Sequence, residues 1–144
     1  MADERILRVP GRFESLAEIA DFITRVARDA GFDEDDVFHV QVAVDEACSN
    51  VVEHAYGPNA AGDIVISCRV DGSGDLRVDI TDHGRPFNQE DVPEPQIGSD
   101  LADLDEIKVG GLGLFFMRKL MDEVTFNFDE HSGNHLTMVK RSAK

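Results

Sequence analysis

Two adjacent segments with alternating apolar and polar residues constrain the fold of this chain most. The segments DIVISCRV (63–70) and DLRVDITD (75–82) both have a period of two, and a DGSG turn separates them. This pattern predicts two β-strands in an antiparallel hairpin. VTFNFDE and NHLTMVKR predict a second hairpin around Ser132-Gly133, and ERILRVPG (4–11) predicts a short first strand that ends in a Pro-Gly turn.

Three other segments have helical periodicity. The first begins at Ser15 and Glu18, which have the spacing of a capping box, and Gly31 is expected to end it. Its apolar residues recur at helical intervals: Leu16, Ile19, Ala20, Ile23, Val26 and Ala27. The second helix is predicted from about Asp36 to Tyr56, and the third covers LGLFFMRKLMDEV.

The order of these elements predicts the fold class. Helices and antiparallel strands are present without the strand–helix alternation that builds a parallel sheet. We therefore predict an α+β fold, a two-layer α/β sandwich with helices on one face of a mixed, mostly antiparallel sheet. No repeat is visible, and residues 1–144 are predicted to form a single domain.

Composition excludes several functional classes. A net charge of −15 argues against nucleic-acid binding, which needs basic surface. The acidity favours partners with basic patches, or it serves solubility alone. No apolar run is long enough to span a membrane and no signal peptide is visible, so we expect a cytoplasmic protein that does not bind membranes. Cys48, which we expect in the core, and Cys68 do not form a disulfide framework or a zinc site.

The second helix has an unusual row of polar residues. Glu46, Asn50 and His54 recur at intervals of four within DEACSNVVEHAYG. They are predicted to lie opposite the apolar side formed by Val37, Val44, Cys48, Val51 and Ala55. An Asn oxygen suits Mg²⁺, and a Glu one turn away can orient or deprotonate a nucleophile. A solvated polar face is the alternative.

Two glycine-containing stretches add candidate ligand contacts. In DHGRPFN (82–88), Asp82 at a strand end can accept a hydrogen bond from an exocyclic amine, and Gly84 allows close approach of a flat ring. An ordinary Asp-X-Gly turn is the alternative. In GGLGLFFM (110–117), glycines at a helix start suit phosphate binding, although this is not a P-loop.

Taken in this order, the three stretches resemble the nucleotide-binding boxes of the GHKL ATPase superfamily. DEACSNVVEHAY is similar to its N-box, DHGRPF to its first glycine box and GGLGLFFMRKLMDEV to its second. More narrowly, the chain resembles bacterial anti-sigma factor serine kinases of the RsbW and SpoIIAB type. The resemblance covers nearly the whole chain and implies a Bergerat-type ATP-binding fold.

The resemblance also implies roles for individual residues. Glu46 would be the catalytic carboxylate, and Asn50 would coordinate the Mg²⁺ that bridges the nucleotide phosphates. Asp82 would bind the adenine amino group, Gly84 would lie close to the ring, and Thr137 would lie near the adenine. The other implied ATP-binding positions are His54, Pro86, Phe87, Lys108, Gly110, Gly111, Leu112, Gly113 and Leu114. A packing role for His54 is the alternative.

Residues 89–109 correspond to the ATP lid of this family. The segment carries seven acids and one base, Lys108. The family often places an arginine here to touch the terminal phosphate. A lysine can neutralise charge but cannot bind two oxygens as an arginine fork does, so this departure bears on the rate of phosphotransfer.

The resemblance implies an ATP-dependent serine/threonine protein kinase that acts as an anti-sigma factor. Its expected partners are an antagonist protein of the STAS class, which it phosphorylates, a sigma factor, which it binds, and a second copy of itself in a homodimer. One alternative is an ATP- or ADP-binding module without significant kinase activity. Another is the catalytic domain of a histidine kinase, although only 44 residues precede Asp45 and the first helix contains no His.

Overall fold

A computed structural model describes residues 4–56, 62–84, 117–129 and 131–142, with the backbone alone for 54–56. The elements are, in chain order, β1 (Arg5–Pro10), a 3₁₀ turn (Phe13–Ser15), α1 (Leu16–Asp29), α2 (Glu34–Asn50), a π-helix (Val51–Tyr56), β2 (Asp63–Val70), β3 (Leu76–Asp82), β4 (Glu123–Asp129) and β5 (Gly133–Lys140). All five predicted strands are therefore present.

The strands form one sheet in the order β1-β2-β3-β5-β4. Every neighbouring pair of described strands is antiparallel, where the sequence had suggested a mixed, mostly antiparallel sheet. The pairing of β3 with β5 joins the two predicted hairpins, and Ile80 stands opposite both Ile66 and Leu136. This register places the end of β3 beside the start of β5.

Helices α1 and α2 pack together over one face of the sheet, as the predicted α+β sandwich requires. The alternation of each strand turns one set of side chains toward the helices. The fully buried strand residues of this core are Ile64, Ile66, Cys68, Leu76, Val78, Ile80 and Met138, and the helices supply Ile19, Ile23, Val40, Ala43, Val44 and Cys48. Burial raises the pKa of the Cys68 thiol to about 12, so this cysteine is a packing residue.

The start of α1 corrects one prediction, and its end confirms another. Ser15 does not cap the helix, because its backbone is already helical (φ −78°, ψ −16°), and no capping box forms. Its hydroxyl instead donates to the carbonyl oxygen of Pro10 at 2.7 Å. Gly31 ends the helix with φ +93°, and the Phe32 amide bonds back to the Ala27 carbonyl in a Schellman motif.

Helix α2 begins at Glu34, two residues before its predicted start, and its geometry changes before Tyr56. Asp33 caps it by accepting a hydrogen bond from the Asp36 amide at 2.8 Å. The α-helical backbone ends at Asn50 and continues as a π-helix, a geometry that occurs often at functional sites. No helix in the described part of the chain has the length and apolar composition of a membrane span.

The third predicted helix ends earlier than its sequence suggested. Residues 117–120 are helical, and β4 already begins at Glu123. Lys140 donates a hydrogen bond to the carbonyl oxygen of Leu120 at 2.8 Å and so satisfies one carbonyl at the helix end. Residues 110–116 lie outside the described residues.

Candidate functional site

Asp82 is a buried carboxylate at the end of β3. Strand alternation turns it to the helix side of the sheet, where its residue is only 5% exposed. Its Oδ1 accepts hydrogen bonds from the Gly84 amide at 2.9 Å and from Asn134 Nδ2 at 2.8 Å. Within the described ranges no hydrogen bond reaches Oδ2. One oxygen is therefore fixed by the protein, and the other can accept from a ligand.

Asn134 is a site residue that sequence reasoning missed. It stands opposite Asp82 in the β3–β5 register, and its Nδ2 also donates to the Gly84 carbonyl at 3.1 Å. Gly133 makes this close pairing possible, because a Cβ there would lie 2.4 Å from the Asp82 carbonyl oxygen. The signal that identifies Asn134 is the strand register, which joins positions 52 residues apart and is not visible in the sequence.

Glu46 and Asn50 lie at the flank of α2 rather than on a fully solvated side. Both residues are half-buried. The apolar side of α2 is wider than the sequence predicted, because Val40, Ala43 and Ala47 are buried in addition to the residues assigned to it. The wider buried arc brings the two polar residues to its border, so the alternative of a simple solvated face does not describe them.

The electrostatic environment on this flank of α2 makes the Glu46 carboxylate a good proton acceptor. Burial raises the pKa of Glu46, and the charges of Asp45 and Glu53 raise it further. Burial also raises the pKa of Asp45. In the part of the chain that the structure describes, no hydrogen bond or ion pair holds the carboxylate of Asp45 or Glu46. A carboxylate with a raised pKa and free oxygens suits general-base chemistry.

The Cys48 thiol connects α2 with Asp82. Cys48 is completely buried between the turns that hold Glu46 and Asn50. Burial raises its pKa above the usual range, and the charges of Asp45 and Asp82 add to this rise. The charge of Asp82 therefore acts on a side chain in the C-terminal half of α2, between Glu46 and Asn50.

Thr137 is not brought to this site. Asp82 faces the helices, whereas Thr137 lies on the opposite face of the sheet, because side chains alternate along β5 from Asn134. The Thr137 hydroxyl donates to Asp79 at 2.5 Å. Its expected place near the adenine is therefore not supported by its position.

The structure describes little of the other predicted site residues. The change to a π-helix after Asn50 interrupts the α-helical spacing that placed His54 in the row, and the structure describes only the backbone there. The remaining expected positions lie outside the described residues: Pro86, Phe87, Lys108, Gly110, Gly111, Leu112, Gly113 and Leu114, together with the lid at 89–109. Their roles stay predictions.

The amide oxygen of Asn50 is the one candidate metal ligand predicted from the sequence. Among the described residues, no group of three or more His, Cys, Asp or Glu side chains could hold a metal ion by itself. Mg²⁺ usually takes few protein ligands and completes its shell with waters and phosphate oxygens. The amide oxygen of Asn50 at the end of α2 is compatible with that mode.

Comparison with known sequences identifies the family. The profile of the histidine kinase-like ATPase domain matches residues 9–140. The chain belongs to this family. It is 32% identical over 143 residues to the serine-protein kinase RsbW of Bacillus licheniformis, and 33% identical over 141 residues to that of Bacillus subtilis. Each alignment covers 96% of this chain and 86% of the relative.

Solved structures bear out the fold. The RsbU and RsbW domains of a Mycobacterium tuberculosis protein match with a TM-score of 0.66 at 18% identity, over 95% of this chain and 32% of that one. The histidine kinase domain of an Erythrobacter litoralis blue-light activated kinase matches with a TM-score of 0.56 at 20% identity, over 92% and 61%. The predicted α+β fold is confirmed.

Proposed function

We propose that this chain is an ATP-dependent serine/threonine protein kinase that acts as an anti-sigma factor. The observation that supports the proposal best is the buried Asp82. One of its oxygens is held by the protein, the other can accept from a ligand, and its charge acts on Cys48 between Glu46 and Asn50 of α2. The RsbW relatives, aligned over nearly the whole chain, support the same activity.

Asp82 would recognise adenine. The exocyclic amine of adenine donates a hydrogen bond, which a carboxylate oxygen accepts. Guanine carries a carbonyl oxygen at the same ring position, and two acceptors would repel each other there. Gly84 and Asn134 hold the Asp82 carboxylate in one orientation, so little freedom is lost when the base binds. The site therefore favours ATP and ADP over guanine nucleotides.

Asn50 would hold the metal that accompanies the nucleotide. With Mg²⁺ bound, Asn50 would help to neutralise phosphate charge, and the glycine-rich residues 110–114 are expected to contribute backbone amides to the phosphates. Replacing Asn50 with Ala is expected to weaken nucleotide binding only when Mg²⁺ is present. Equal affinities of the variant and the wild type in Mg²⁺ would contradict this role.

Glu46 would act as the general base. Its carboxylate takes the proton from a serine or threonine hydroxyl of the substrate protein. The hydroxyl oxygen then forms a bond with the γ-phosphorus, and the bond from that phosphorus to the bridging oxygen breaks, which leaves ADP and a phosphoprotein. The half-buried position of Glu46 raises its pKa and makes it a better proton acceptor than an exposed glutamate.

The protein partners follow from the same family relationship. We propose that the phosphorylated substrate is a small antagonist protein of the STAS class and that the unoccupied kinase binds a sigma factor, with the chain working as a homodimer. The acidic chain, with a net charge of −15, would favour basic surfaces on these partners.

Phosphotransfer tests the proposal directly. The purified chain is incubated with γ-labelled ATP, Mg²⁺ and each STAS-domain protein of the source organism, and the products are mapped by mass spectrometry. We expect a phosphate on one serine or threonine of a STAS protein. Nucleotide binding without any transfer would support the alternative of a regulatory ATP- or ADP-binding module and overturn the kinase proposal.

A further inference from the structure

The exposed side of α2 carries an apolar and acidic surface beside Glu46. Phe38 is 59% exposed, and Val42 and Asp45 are half-buried. At about 100° per residue, these three side chains fall within about 60° of one another around the helix. We refer to Phe38, Val42 and Asp45 together as the Phe38 face.

Asp45 is the member of this face that the phosphotransfer step leaves unexplained. It directly precedes Glu46 and lies about 100° from it around the helix, and the general base needs no second carboxylate. Burial raises the pKa of Asp45, and no described side chain or amide is bonded to it. A carboxylate that is partly removed from water without a partner is best stabilised by an incoming cation.

The charge of α2 specifies the sign of that partner. The helix contains five acids and no Lys or Arg. Two acids near its start already have cations: Glu34 pairs with Arg28 at 3.0 Å, and Asp36 lies 3.7 Å from the Lys140 ammonium. Asp45 has no such ion pair within the described residues. A lysine or arginine of another protein would complement it.

The spacing along the helix sets the length of the docking segment. Glu46 follows Phe38 by eight positions, which corresponds to about 12 Å at 1.5 Å per residue. An extended chain spans about 3.3 Å per residue, so roughly four residues cover this distance. A substrate residue whose apolar side chain packs on Phe38 and Val42 would thus be about four residues away, along the substrate chain, from the residue whose hydroxyl lies at Glu46.

We propose that the Phe38 face docks the protein substrate of the kinase. The substrate would place a Lys or Arg against Asp45, beside the acceptor hydroxyl, and an apolar side chain on Phe38 and Val42. This proposal rests on the kinase function proposed above. It adds the surface that selects the substrate and the chemistry that the surface selects.

Kinetics with matched variants test the docking surface. The substrate is the STAS-domain protein that accepts phosphate from the wild type. Phe38→Ala and Asp45→Asn should each raise the KM for this protein about tenfold, the loss of one well-packed anchor or charge contact, and leave the KM for ATP unchanged. The controls are Ile6→Ala, which is also 59% exposed but on the far face of the sheet, and Asp21→Asn on the exposed side of α1.

Two further measurements separate docking from indirect effects. The charge of Asp45 raises the pKa of Glu46, so an Asp45 that acts only through Glu46 would change the pH profile of kcat and not the KM for the protein. A charge exchange is the stricter test. Asp45→Lys should fail with the natural substrate and recover with a substrate whose basic residue beside the acceptor is changed to Glu.

The possible outcomes distinguish the two proposals. Phosphotransfer with unchanged protein KM in both Phe38→Ala and Asp45→Asn would overturn the docking surface and leave the kinase function intact. Calorimetry with ADP and the same STAS proteins measures docking without chemistry, and weaker binding by both variants would support the surface even if no phosphate is transferred. A wild-type chain that neither binds nor phosphorylates any STAS protein would overturn both proposals.

Discussion

Asp79 and Asp82 lie three residues apart on β3 and face opposite sides of the sheet. Asp79 is satisfied by the protein: Thr137 donates to its Oδ1 at 2.5 Å and Arg77 to its Oδ2 at 3.3 Å. Asp82 is more deeply buried, has no cationic partner among the described residues, and receives both of its hydrogen bonds on one oxygen.

This difference separates a structural carboxylate from one prepared for a ligand. The outer face of the sheet pairs its charges internally, as the ion pair of Arg69 with Glu4 at 3.0 Å also illustrates. On the helix side, Asp82, Glu46 and Asp45 keep oxygens without donors from the described residues. A carboxylate that is partly removed from water and lacks a donor on one or both oxygens is unfavourable for folding, so the presence of three of them on one side of the sheet points to function.

The largest expected effect is a loss of catalysis when Glu46, on the helix side of the sheet, is replaced. Glu46→Gln should lower kcat for phosphotransfer by about 10²–10⁴-fold, the usual contribution of a general base, because the amide cannot accept the hydroxyl proton. ATP binding should be retained. Glu18→Gln, on the exposed side of α1, is the control and should behave as wild type. An unchanged kcat in Glu46→Gln would remove Glu46 from the mechanism.

A second prediction concerns the close packing that holds Asn134 against Asp82. Gly31 and Gly133 have nearly the same positive φ, +93° and +94°. A Cβ at Gly31 would meet nothing within 4 Å, whereas one at Gly133 would lie 2.4 Å from the Asp82 carbonyl. Gly31→Ala should therefore lower the free energy of unfolding by about 1–2 kcal/mol through φ alone.

For Gly133→Ala, the clash should add about 1–3 kcal/mol to that loss. It should also weaken ATP binding, because β5 must move away from β3. Urea unfolding of both variants measures the first effect and calorimetry the second. Equal losses of stability in the two variants would contradict the close approach of Gly133 to the Asp82 carbonyl oxygen.

A third prediction is a pH shift. As the proposed general base, Glu46 would have to be deprotonated to act, so we expect kcat to rise with pH through its pKa. The charge of Asp45 helps to raise that pKa, and Asp45→Asn should therefore move the acid limb of the kcat profile to lower pH. Asp35→Asn, on the exposed first turn of α2, is the control. A limb that stays in place would show that Asp45 does not act on Glu46.

The same variant should also change stability. The pKa of Asp45 is raised in the folded state, so that state binds more protons than the unfolded chain, and stability falls as the pH rises through this window. At pH 7 the partly buried Asp45 carboxylate is ionised and lowers stability by its full amount. Asp45→Asn should therefore raise Tm at this pH. At pH 3, where the carboxyl is protonated in both states, the difference in Tm should vanish. A lower Tm of the variant at pH 7 would contradict the desolvation of Asp45.

The smallest expected effect comes from a substitution on the outer face of the sheet, the face away from the helices. Thr137→Val removes the hydrogen bond to Asp79 and should lower the free energy of unfolding by about 0.5–1.5 kcal/mol. Its ATP affinity should equal that of the wild type, whereas Asn134→Ala should bind ATP more weakly. A large loss of ATP affinity in Thr137→Val would restore the sequence-based role of Thr137 and contradict the assignment of faces.

Thr137 and Asn134 also illustrate how far the sequence could predict the site. Periodicity predicted all five strands and both long helices, because burial of one face imposes the pattern locally. Asp82, Glu46 and Asn50 could be singled out from the sequence because each belongs to a motif of neighbouring residues. The pairing of β3 with β5 depends on contacts distant in sequence, so Asn134 was missed, and Thr137, expected near the adenine, faces the other side of the sheet from Asp82.

Other errors were local and arose from competing hydrogen bonds. The Ser15 pattern matches a capping box, yet the chain already turns into a helical conformation at Phe13–Ser15, and the hydroxyl bonds to Pro10. The change from α- to π-helix after Asn50 has no sequence signature that periodicity detects, so the row from Glu46 to His54 was predicted as regular.

Calorimetry of ATP with Mg²⁺ is the most direct test of the central claim that the inner carboxylate of β3 is prepared for a nucleotide. Asp82→Asn retains an oxygen for the Gly84 amide, so its fold should persist, which thermal unfolding verifies. We predict that Asp82→Asn loses ATP binding while Asp79→Asn binds like the wild type. Equal affinities of the two variants, or loss of binding in Asp79→Asn alone, would contradict the account.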